Sequence, residues 1–319
     1  MTRFDGLIAP MAVASRNEFD ESVHHGAGVT LDAGGTISSV VGDPDLVVYA
    51  RSSLKPMQAH AMVAVGLELP DALLAVACAS HDGSTVHLDA VRSILDRFDL
   101  VETDLQNTPT RPSGEAARSA ARAAGLGPSA LQQNCSGKHA AMLATCRVNG
   151  WPIDGYLQHD HPLQLAITAG FETLGCTVHH IGVDGCGAPT HALSLRDLAA
   201  AFATIATDGT PVAGSMRAEP VMVAGPTRDV TRWMQHVPGL IAKEGAAGVM
   251  AAALPDGRAL AFKIADGDNV ARQAVVPTAL RCIGVDIETA PEDLVSHPVM
   301  GHGREVGRIR ALEWSPWSS

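Results

Sequence analysis

The amino-acid sequence predicts an α+β fold, an α/β sandwich in which helices flank a mostly antiparallel sheet. Strand-forming segments lie near both ends of the chain, whereas helical periodicities fill its middle. A hairpin is predicted where the turn Pro255-Asp256-Gly257-Arg258 separates two apolar runs. Strands grouped in this way favour antiparallel pairing over a regular alternation of strand and helix. Because no repeat or linker interrupts the chain, we expect one composite domain over residues 1–319.

The first predicted elements are two strands, 27–32 and 36–41, joined by the turn Ala33-Gly34-Gly35. Segment 84–98 is a predicted helix because its large apolar residues recur every three or four positions and share one face. Segment 108–115, rich in Ser, Gly and Pro, is a predicted loop. The other predicted elements, in chain order, are a strand at 46–50, a helix from Ser53, helices at 113–124, 137–148, 162–174 and 194–206, hairpin strands at 247–254 and 259–265, a helix at 268–283 and a strand at 304–311.

Composition and charge narrow the classes of function. The chain has 319 residues, 46% of them hydrophobic and 18% charged, and its net charge of -11 comes from acids and bases mixed along its length. A nucleic-acid-binding protein normally has a basic face, so that class is disfavoured, whereas a small-molecule substrate is compatible. Because the chain shows no apolar signal core and no long apolar run, we expect a cytoplasmic protein without a membrane span. The six cysteines include no C-x-x-C pair, so we expect no disulfide framework.

Ser52 and Lys55 form an S-x-x-K motif at the predicted start of a helix, where side chains three positions apart share a face. A serine hydroxyl becomes a good nucleophile when a base takes its proton, and a neutral lysine can be that base. The ordinary lysine pKa of about 10.4 has to fall by about 3 for this, at a cost of about 4 kcal/mol. The motif therefore requires a buried, cation-rich site. The structural alternative is that Ser52 or Ser53 caps the helix and Lys55 lies in solvent.

Ser80 and Lys263 supply a second serine and a second lysine. Ser80 follows an apolar run and opens a turn, and Lys263 interrupts the apolar strand Ala259–Ile264. An S-x-x-K motif, a serine turn and a strand lysine follow one another in this order in serine β-lactamases and penicillin-binding proteins. The Ser-Asp-Asn and Lys-Thr-Gly motifs of those enzymes do not occur in this chain, so the likeness is one of roles and order. The structural alternative for Lys263 is an edge or solvent-face position.

Two glycine-containing loops carry one cysteine each. Asn134-Cys135-Ser136-Gly137-Lys138-His139 precedes a predicted helix, with Ser136 placed to cap it, and the loop Val183 to Thr190 contains Cys186. Two thiolates with Lys138 or His139 can bind zinc, because zinc prefers sulfur and nitrogen ligands. The alternative is a pair of buried thiols behind a polar loop.

Two further polar segments have both a chemical and a structural interpretation. Asp184 is a candidate for binding the α-amino group of a substrate or for orienting Lys138, and its alternative is a turn aspartate before glycine. His159-Asp160-His161-Pro162 is similar to a metal cluster, but we interpret it as a loop that places a proline in the first turn of helix 162–174.

These motifs together resemble the Rhizobium-etli-type L-asparaginases, also called class 3 or the thermolabile asparaginase II family. The resemblance runs from about Glu21 to Arg310. Its most specific parts are Cys-Ser-Gly-Lys-His and Ala-Arg-Ser-x-x-Lys-Pro, taken together. The matching segments are Ala50 to Pro56, Ala79-Ser80-His81, Asn134 to His139, His161-Pro162-Leu163-Gln164, Asp184-Gly185-Cys186 and Lys263-Ile264-Ala265-Asp266-Gly267.

The resemblance implies hydrolysis of L-asparagine to L-aspartate and ammonia on a fold like that of serine β-lactamases and glutaminases. It implies a homodimer and a zinc ion that positions the substrate rather than generating the nucleophile. The residues it implies are the pairs Ser52 with Lys55 and Ser80 with Lys263, the zinc ligands Cys135, Lys138 and Cys186, and the pocket residues Arg51, His139 and Asp184. We expect Ser52 to be the nucleophile of a double displacement through an acyl-enzyme.

Three rival functions follow from the same residues. They are a related acyl hydrolase, such as a glutaminase or β-lactam hydrolase, a catalytically silent amino-acid-binding protein on the same scaffold, and a metal-regulated sensor. A binding protein that has lost catalysis has no need of both serines and both lysines. Their presence together therefore favours an enzyme. One segment departs from the family: where its members carry a Cys-Gly-x-His-like element, this chain has Leu105-Gln106-Asn107-Thr108-Pro109, a loop expected to shape substrate access.

Overall fold

The computed structural model describes residues 4–317, and its contacts group the chain into two compact units. Unit 1 comprises Met1–Ser53, Leu193–Thr207 and His236–Ser319, and unit 2 comprises Leu54–Ala192 and Asp208–Gln235. The single composite domain over residues 1–319 stays a prediction. Residues 1–3, which form part of the stretch predicted to lack a signal core, lie outside the described residues.

Strands and helices are both abundant in residues 4–317. The strands are β1 (Ala9–Arg16), β2 (Phe19–Leu31), β3 (Ile37–Val41), β4 (Val47–Tyr49), β5 (His180–Val183), β6 (Pro189–Ser194), β7 (Ile241–Gly245), β8 (Val249–Ala253), β9 (Ala259–Ile264), β10 (His297–Gly301), β11 (Arg304–Ala311) and β12 (Ser315–Pro316). The helices are α1 (Lys55–Ala64), α2 (Asp71–Ala77), α3 (Thr85–Arg97), α4 (Glu115–Ala123), α5 (Ser136–Asn149), α6 (Pro162–Thr173), α7 (Leu195–Thr207), α8 (Pro211–Ala218), α9 (Pro220–Ala224), α10 (Asp229–His236), α11 (Asn269–Cys282) and α12 (Glu292–Val295), with 3-10 helices at Arg51–Leu54 and Glu102–Asp104.

Unit 1 is built on a nine-stranded sheet with the order β10-β11-β1-β2-β9-β8-β7, extended by β3 beside β2 and by β12 beside β3. The pairs along this path are antiparallel. Helices α7 and α11 pack against its strands. The sheet and the many helices confirm the predicted α+β class with a mostly antiparallel sheet.

Strand β2 is long because it changes partner along one edge. Its first half pairs with β1 and its second half with β3, while β9 covers the other edge from Gly26 to Leu31. The sequence prediction began this strand only at residue 27, because residues 19–25 are mostly polar and exposed, without the alternation that marks a half-buried strand. Pairing with β1, which the sequence analysis also missed, makes this segment a strand.

Unit 2 is mainly helical and carries the β5–β6 hairpin. Helix α1 packs on α5 and α6, and α2 packs on α3, α5 and α8. Gly170 permits the contact of α6 with α1, since a Cβ at that position would meet Ala61. Among residues 4–317 no helix is long and apolar enough to span a membrane.

Most of the predicted long elements are confirmed. Helices α3, α4, α5, α6, α7 and α11, strands β3, β4, β8, β9 and β11, and the loop before α4 lie where the patterns placed them, with ends shifted by at most two residues. Helices α2, α8, α9 and α10 were missed because each has only five to eight residues, too few to show a helical period.

We predict that Gly26→Ala destabilises the protein by about 1–3 kcal/mol, because inserted atoms overpack a filled site. A Cβ at Gly26 would contact the carbonyl oxygen of Lys263 and lie 2.5 Å from Met11 Sδ. The control is Gly214→Ala in α8, where the new Cβ meets no atom within 4 Å and helix propensity gains about 0.5–1 kcal/mol. Urea unfolding of both variants measures the difference, and equal stabilities would contradict the packing argument.

Candidate active site

Lys55 is the first residue of α1 and is almost fully buried, with 1% of its surface exposed. Its Nζ donates to the carbonyl oxygen of Ala79 at 2.5 Å and to Ser80 Oγ at 3.0 Å. A buried ammonium group without such partners would cost several kcal/mol. The alternative in which Lys55 lies in solvent is therefore wrong, and so is helix capping by a serine: the N-cap of α1 is Leu54, and no side chain caps it.

The turn that carries Ser80 is fixed by backbone hydrogen bonds. The amide of Ser80 donates to the carbonyl of Val223, and the amide of His81 donates to the carbonyl of Asn134. Gly137 lets the first turn of α5 approach the end of α2, since a Cβ there would meet the carbonyl of Val76. The glycine of the Cys-Ser-Gly-Lys-His motif thus brings this loop next to the serine turn.

Cys135, Lys138 and Cys186 form one buried cluster in unit 2, in which the Sγ atom of Cys186 accepts a hydrogen bond from Lys138 Nζ at 3.2 Å. The bond from the Cys186 thiol lowers the pKa of Cys135 well below its ordinary value, and the charges of Lys55 and Lys138 act in the same direction against burial. The same bond, together with burial, raises the pKa of the Cys186 thiol. Of the two thiols, Cys135 is therefore the one that loses its proton more readily.

Lys138 stays protonated in this cluster. Burial alone lowers its pKa, but the electrostatic interactions with Cys186, Cys135 and Asp184 and the hydrogen bond to Cys186 outweigh burial and raise the pKa above its ordinary value. Asp184 is half-buried in a turn where its Oδ1 accepts from the amide of Gly185. It therefore acts as a turn residue and also stabilises the charge of Lys138.

Two buried histidines flank the cluster. His139 Nδ1 lies 2.8 Å from the hydroxyl of Tyr156, and its Nε2 has no partner among the described residues. His81 Nε2 lies 2.8 Å from Ser136 Oγ. Burial and the nearby lysine charges hold the pKa of both histidines well below the ordinary value, with His87 adding to the effect on His81. Both rings are therefore neutral at physiological pH.

Ser136 corrects one sequence prediction. It was expected to cap α5, but it is the first residue of that helix and the N-cap is Cys135, without a side-chain capping bond. Its hydroxyl is paired with His81 instead. The predicted loop before α6 is confirmed, because His161 is the N-cap, its Nδ1 accepts from the amide of Leu163, and Pro162 follows it in the first turn.

In unit 1, the 3-10 helix Arg51–Leu54 leads directly into α1. Arg51 has φ 53°, in the left-handed region that residues other than glycine rarely adopt and that often marks functional positions. Ser53 is fully buried and donates to the carbonyl of Lys243 at 3.1 Å. Ser52 is only half-buried, so it is the serine of this pair whose hydroxyl is within reach of solvent.

Lys263 projects from β9 and is 9% exposed. Its Nζ donates to the carbonyls of Ala247 at 2.5 Å and Ile264 at 2.6 Å. Burial lowers the pKa of Lys263, Asp266 opposes this, and the charge of Arg51 adds to the lowering. Lys263 is thus a buried lysine rather than an edge residue in solvent.

The structure brings several of the predicted residues together and adds others. Lys55 contacts Ser80, and Cys135, Lys138 and Cys186 cluster beside His139 and Asp184, all in unit 2. Arg51, Ser52 and Lys263 belong to unit 1, so the pairs Ser52–Lys55 and Ser80–Lys263 stay predictions. The residues that sequence reasoning missed are Asn107, Gln133 and Tyr156. Their partners come from distant segments, which no local pattern indicates.

The Cys135, Lys138 and Cys186 donors fit a zinc ion by their chemistry, since two sulfurs and a nitrogen are buried side by side. Binding would have to displace the proton that Lys138 holds. Residues 4–317 contain no group of three or more His, Cys, Asp and Glu side chains that could hold a metal, and this cluster has two such residues. Zinc therefore stays a prediction that rests on lysine as the third ligand.

A cavity of about 440 Å³ lies elsewhere in unit 2, between α3 and α4, and is lined mainly by alanines and Leu88. No predicted site residue lines it. The buried polar and charged side chains around Lys55 therefore indicate the candidate active site better than the size of this cavity does.

Comparisons with known proteins extend these findings. A family model described as L-asparaginase II matches residues 12–311. A solved β-lactamase from Mycobacterium bovis is similar at 17% identity over 75% of this chain and 86% of its own, with a TM-score of 0.35, a likeness too weak to carry an argument. Among curated proteins no match is found.

We predict that the free energy of unfolding decreases as pH falls from 7 to 5. His81 and His139 are held neutral in the folded protein, whereas in the unfolded chain they titrate near the ordinary value of about 6.5. Above a pH of about 6.5 the two histidines are neutral in both states, and their contribution to the free energy of unfolding is complete. Below that pH the unfolded state binds protons that the folded state excludes. The free energy of unfolding therefore falls by up to about 1.4 kcal/mol per pH unit for each histidine. Urea unfolding at several pH values measures the slope, and a flat profile between pH 7 and 5 would contradict the burial of neutral rings.

Proposed function

We propose that this chain, which belongs to the L-asparaginase II family, hydrolyses L-asparagine to L-aspartate and ammonia with Ser52 as the nucleophile. Membership of the family supports an amidohydrolase of the asparaginase type that acts on a small molecule. The assignment to the Rhizobium etli type rests on the motif resemblance. The observation that carries the proposal is Lys55, a buried lysine that lies three residues after Ser52 and whose Nζ is held by Ser80.

Ser52 is the better nucleophile of the two adjacent serines. Its side chain is half-buried, whereas the hydroxyl of Ser53 is fully buried and already donates to a carbonyl. The proposed first step requires the neutral form of Lys55, whose Nζ accepts the Ser52 proton while Oγ attacks the side-chain amide carbon of asparagine. The proton then passes to the leaving nitrogen, ammonia departs, and water hydrolyses the aspartyl ester with Lys55 again accepting a proton.

The second serine and lysine have a supporting role in this scheme. Ser80 and the carbonyl of Ala79 fix the position of Lys55 Nζ. We assign proton relay to Ser80 and Lys263, and the lowered pKa of Lys263 favours that role because a relay has to release its proton readily.

The substrate groups are assigned to three polar residues. Asp184 is the proposed partner of the α-amino group, and Arg51 that of the α-carboxylate, since each supplies the opposite charge. His139 is neutral and has an unpartnered Nε2 among the described residues, so it can donate to or accept from the substrate. Bound zinc would supply a positive charge that orients the substrate, with Cys135, Lys138 and Cys186 as its ligands.

Ser80 is a second candidate for the nucleophile. The specific observation in its favour is that Ser80 Oγ lies 3.0 Å from Lys55 Nζ, within the distance that proton transfer needs. Ser80 is 5% exposed, whereas Ser52 is half-buried, and we therefore favour Ser52.

Parallel ammonia-release assays with L-asparagine and L-glutamine, each with and without a chelator, test the proposed activity. We expect kcat/KM for asparagine to exceed that for glutamine. Faster glutamine hydrolysis would identify a glutaminase, turnover of β-lactams alone a β-lactam hydrolase, and amino-acid binding without turnover a silent binding protein or sensor. A homodimer and a cytoplasmic location stay predictions.

We predict that Ser52→Ala lowers kcat by at least about 1000-fold, as loss of a nucleophile does in other acyl-transfer enzymes. Ser80→Ala should lower kcat less, because Lys55 keeps its bond to Ala79. Ser53→Ala is the matched control and should reduce stability while kcat changes little, since its hydroxyl only bonds to a carbonyl. Retention of most activity by Ser52→Ala, with loss in Ser80→Ala, would show that Ser80 attacks.

We predict that wild-type protein binds zinc and that Cys135→Ser and Cys186→Ser weaken this binding by at least about 10-fold, because a hydroxyl is a poor replacement for a thiolate ligand. Cys146→Ser is the control, since this buried thiol in α5 has its pKa raised to about 12 by burial and is not among the three predicted zinc ligands. Titration calorimetry with zinc measures all four proteins. Equal zinc affinity in the Cys135 and Cys146 variants would exclude the cluster as the zinc site.

A further inference from the structure

We propose that Asn107 is a positioning residue for Cys135, and that the segment from Gln106 to Thr108 is a structural part of the site in unit 2. This segment lies in the loop where the sequence departs from the family it resembles. The structural part of this inference stands on contacts alone, whereas its kinetic consequence rests on the proposed function.

Asn107 holds the turn that precedes Cys135. The side chain is 2% exposed, and its Nδ2 donates to the carbonyl of Ala130 at 2.8 Å and to Gln133 Oε1 at 3.0 Å. The same Gln133 Oε1 accepts from the amide of Cys135 at 3.0 Å. One amide oxygen therefore connects Asn107 to the backbone of Cys135.

The orientation of the Asn107 amide is determined by its partners. Ala130 presents a carbonyl oxygen, and Gln133 presents the oxygen that already accepts from Cys135, so both need a donor. Only the NH2 group of Asn107 can supply both bonds, because a carboxylate has no proton to donate. Asn107 Oδ1 is buried and has no partner among the described residues.

The two residues beside Asn107 reach other parts of the same cluster. The amide of Gln106 donates to the Tyr156 hydroxyl at 3.3 Å, and that hydroxyl lies 2.8 Å from His139 Nδ1. The amide of Thr108 donates to the carbonyl of Cys186 at 3.3 Å. Three consecutive residues thus connect to His139, Cys135 and Cys186, which makes the segment part of the site and not only its rim.

Loss of the Asn107 donors leaves the carbonyl of Ala130 and Gln133 Oε1 with one backbone donor each, the amides of Gln133 and Cys135. The Gln133 side chain is then held less firmly and can turn away from Cys135. Cys135 is the N-cap of α5, and no side-chain capping bond is formed there. The amide of Cys135 donates instead to Gln133 Oε1. We expect the Cys135 thiol then to leave its place beside Cys186 and the two lysines. On the proposed function, this raises KM and lowers kcat/KM.

The test compares Asn107→Ala and Asn107→Asp with Asn149→Ala in the full-length protein. Asn149 is a matched control: its Nδ2 also donates to two carbonyls, those of Val65 at 3.0 Å and Thr145 at 2.9 Å, but at the opposite end of α5. The aspartate variant keeps the volume of the side chain and removes the donors, so it serves if the alanine variant does not fold. The readouts are Tm, kcat and KM for asparagine, and the rate of iodoacetamide labelling of each cysteine by mass spectrometry after chelator treatment.

We expect both Asn107 variants to label Cys135 severalfold faster than wild type, relative to Cys146, and to lose about 10- to 100-fold in kcat/KM, mainly through KM. Asn149→Ala should lower Tm without either change. The inference is overturned if the Asn107 variants lower Tm like Asn149→Ala and leave Cys135 labelling and kcat/KM as in wild type. If wild type does not hydrolyse asparagine but the labelling pattern holds, the positioning role is supported and the proposed function fails.

Discussion

The burial of two lysine side chains, Lys55 and Lys138, is the constraint on which the rest of the site depends. A buried charge is tolerated only when nearby groups replace its water. Lys55 receives a carbonyl and the Ser80 hydroxyl, and Lys138 receives the sulfur of Cys186. The two lysines belong to α1 and α5, and their partners belong to the turn after α2 and the loop after β5. The need to satisfy two buried amino groups therefore fixes four segments of unit 2 at once.

Burial and the bond between the two thiols are the main causes of the shifted pKa values of the neighbouring groups, and the two lysines add to both effects. They favour a thiolate at Cys135 and disfavour a proton on the buried rings of His81 and His139. Cys186, Cys135 and Asp184 in turn raise the pKa of Lys138 and keep it protonated. On the proposed function, these charged side chains are partners already in place for the charged groups of an amino-acid substrate. This electrostatic balance connects the fold of unit 2 to an amidohydrolase of the L-asparaginase II family.

Sequence patterns predicted the parts of the fold that are long and periodic. Helices α3 and α7 show a helical period, and the β8–β9 hairpin follows a clear turn, so local residues were sufficient. The exposed half of β2 lacks a pattern because pairing with β1, rather than burial, makes it a strand. Periodicity in the sequence indicates that one face of an element is buried. It gives no signal where hydrogen bonding to a distant segment determines the structure.

The candidate site shows a similar division. The motif residues Lys55, Ser80, Cys135 and Cys186 were identified from the chain because unusual residue types stand in short strings. Asn107 and Tyr156 could not be identified in this way, since their roles depend on contacts with residues 17 to 26 positions away along the chain. Even Ser136, correctly placed at the start of α5, was assigned a cap when its hydroxyl bonds to His81 in another segment.

Peptide mapping of an acid-quenched reaction with L-asparagine tests the central claim most directly. The account predicts an aspartyl ester on the peptide that contains Ser52, formed in the wild-type protein and absent from Ser52→Ala. An ester on the Ser80 peptide, or rapid ammonia release with no ester on either serine, would contradict it.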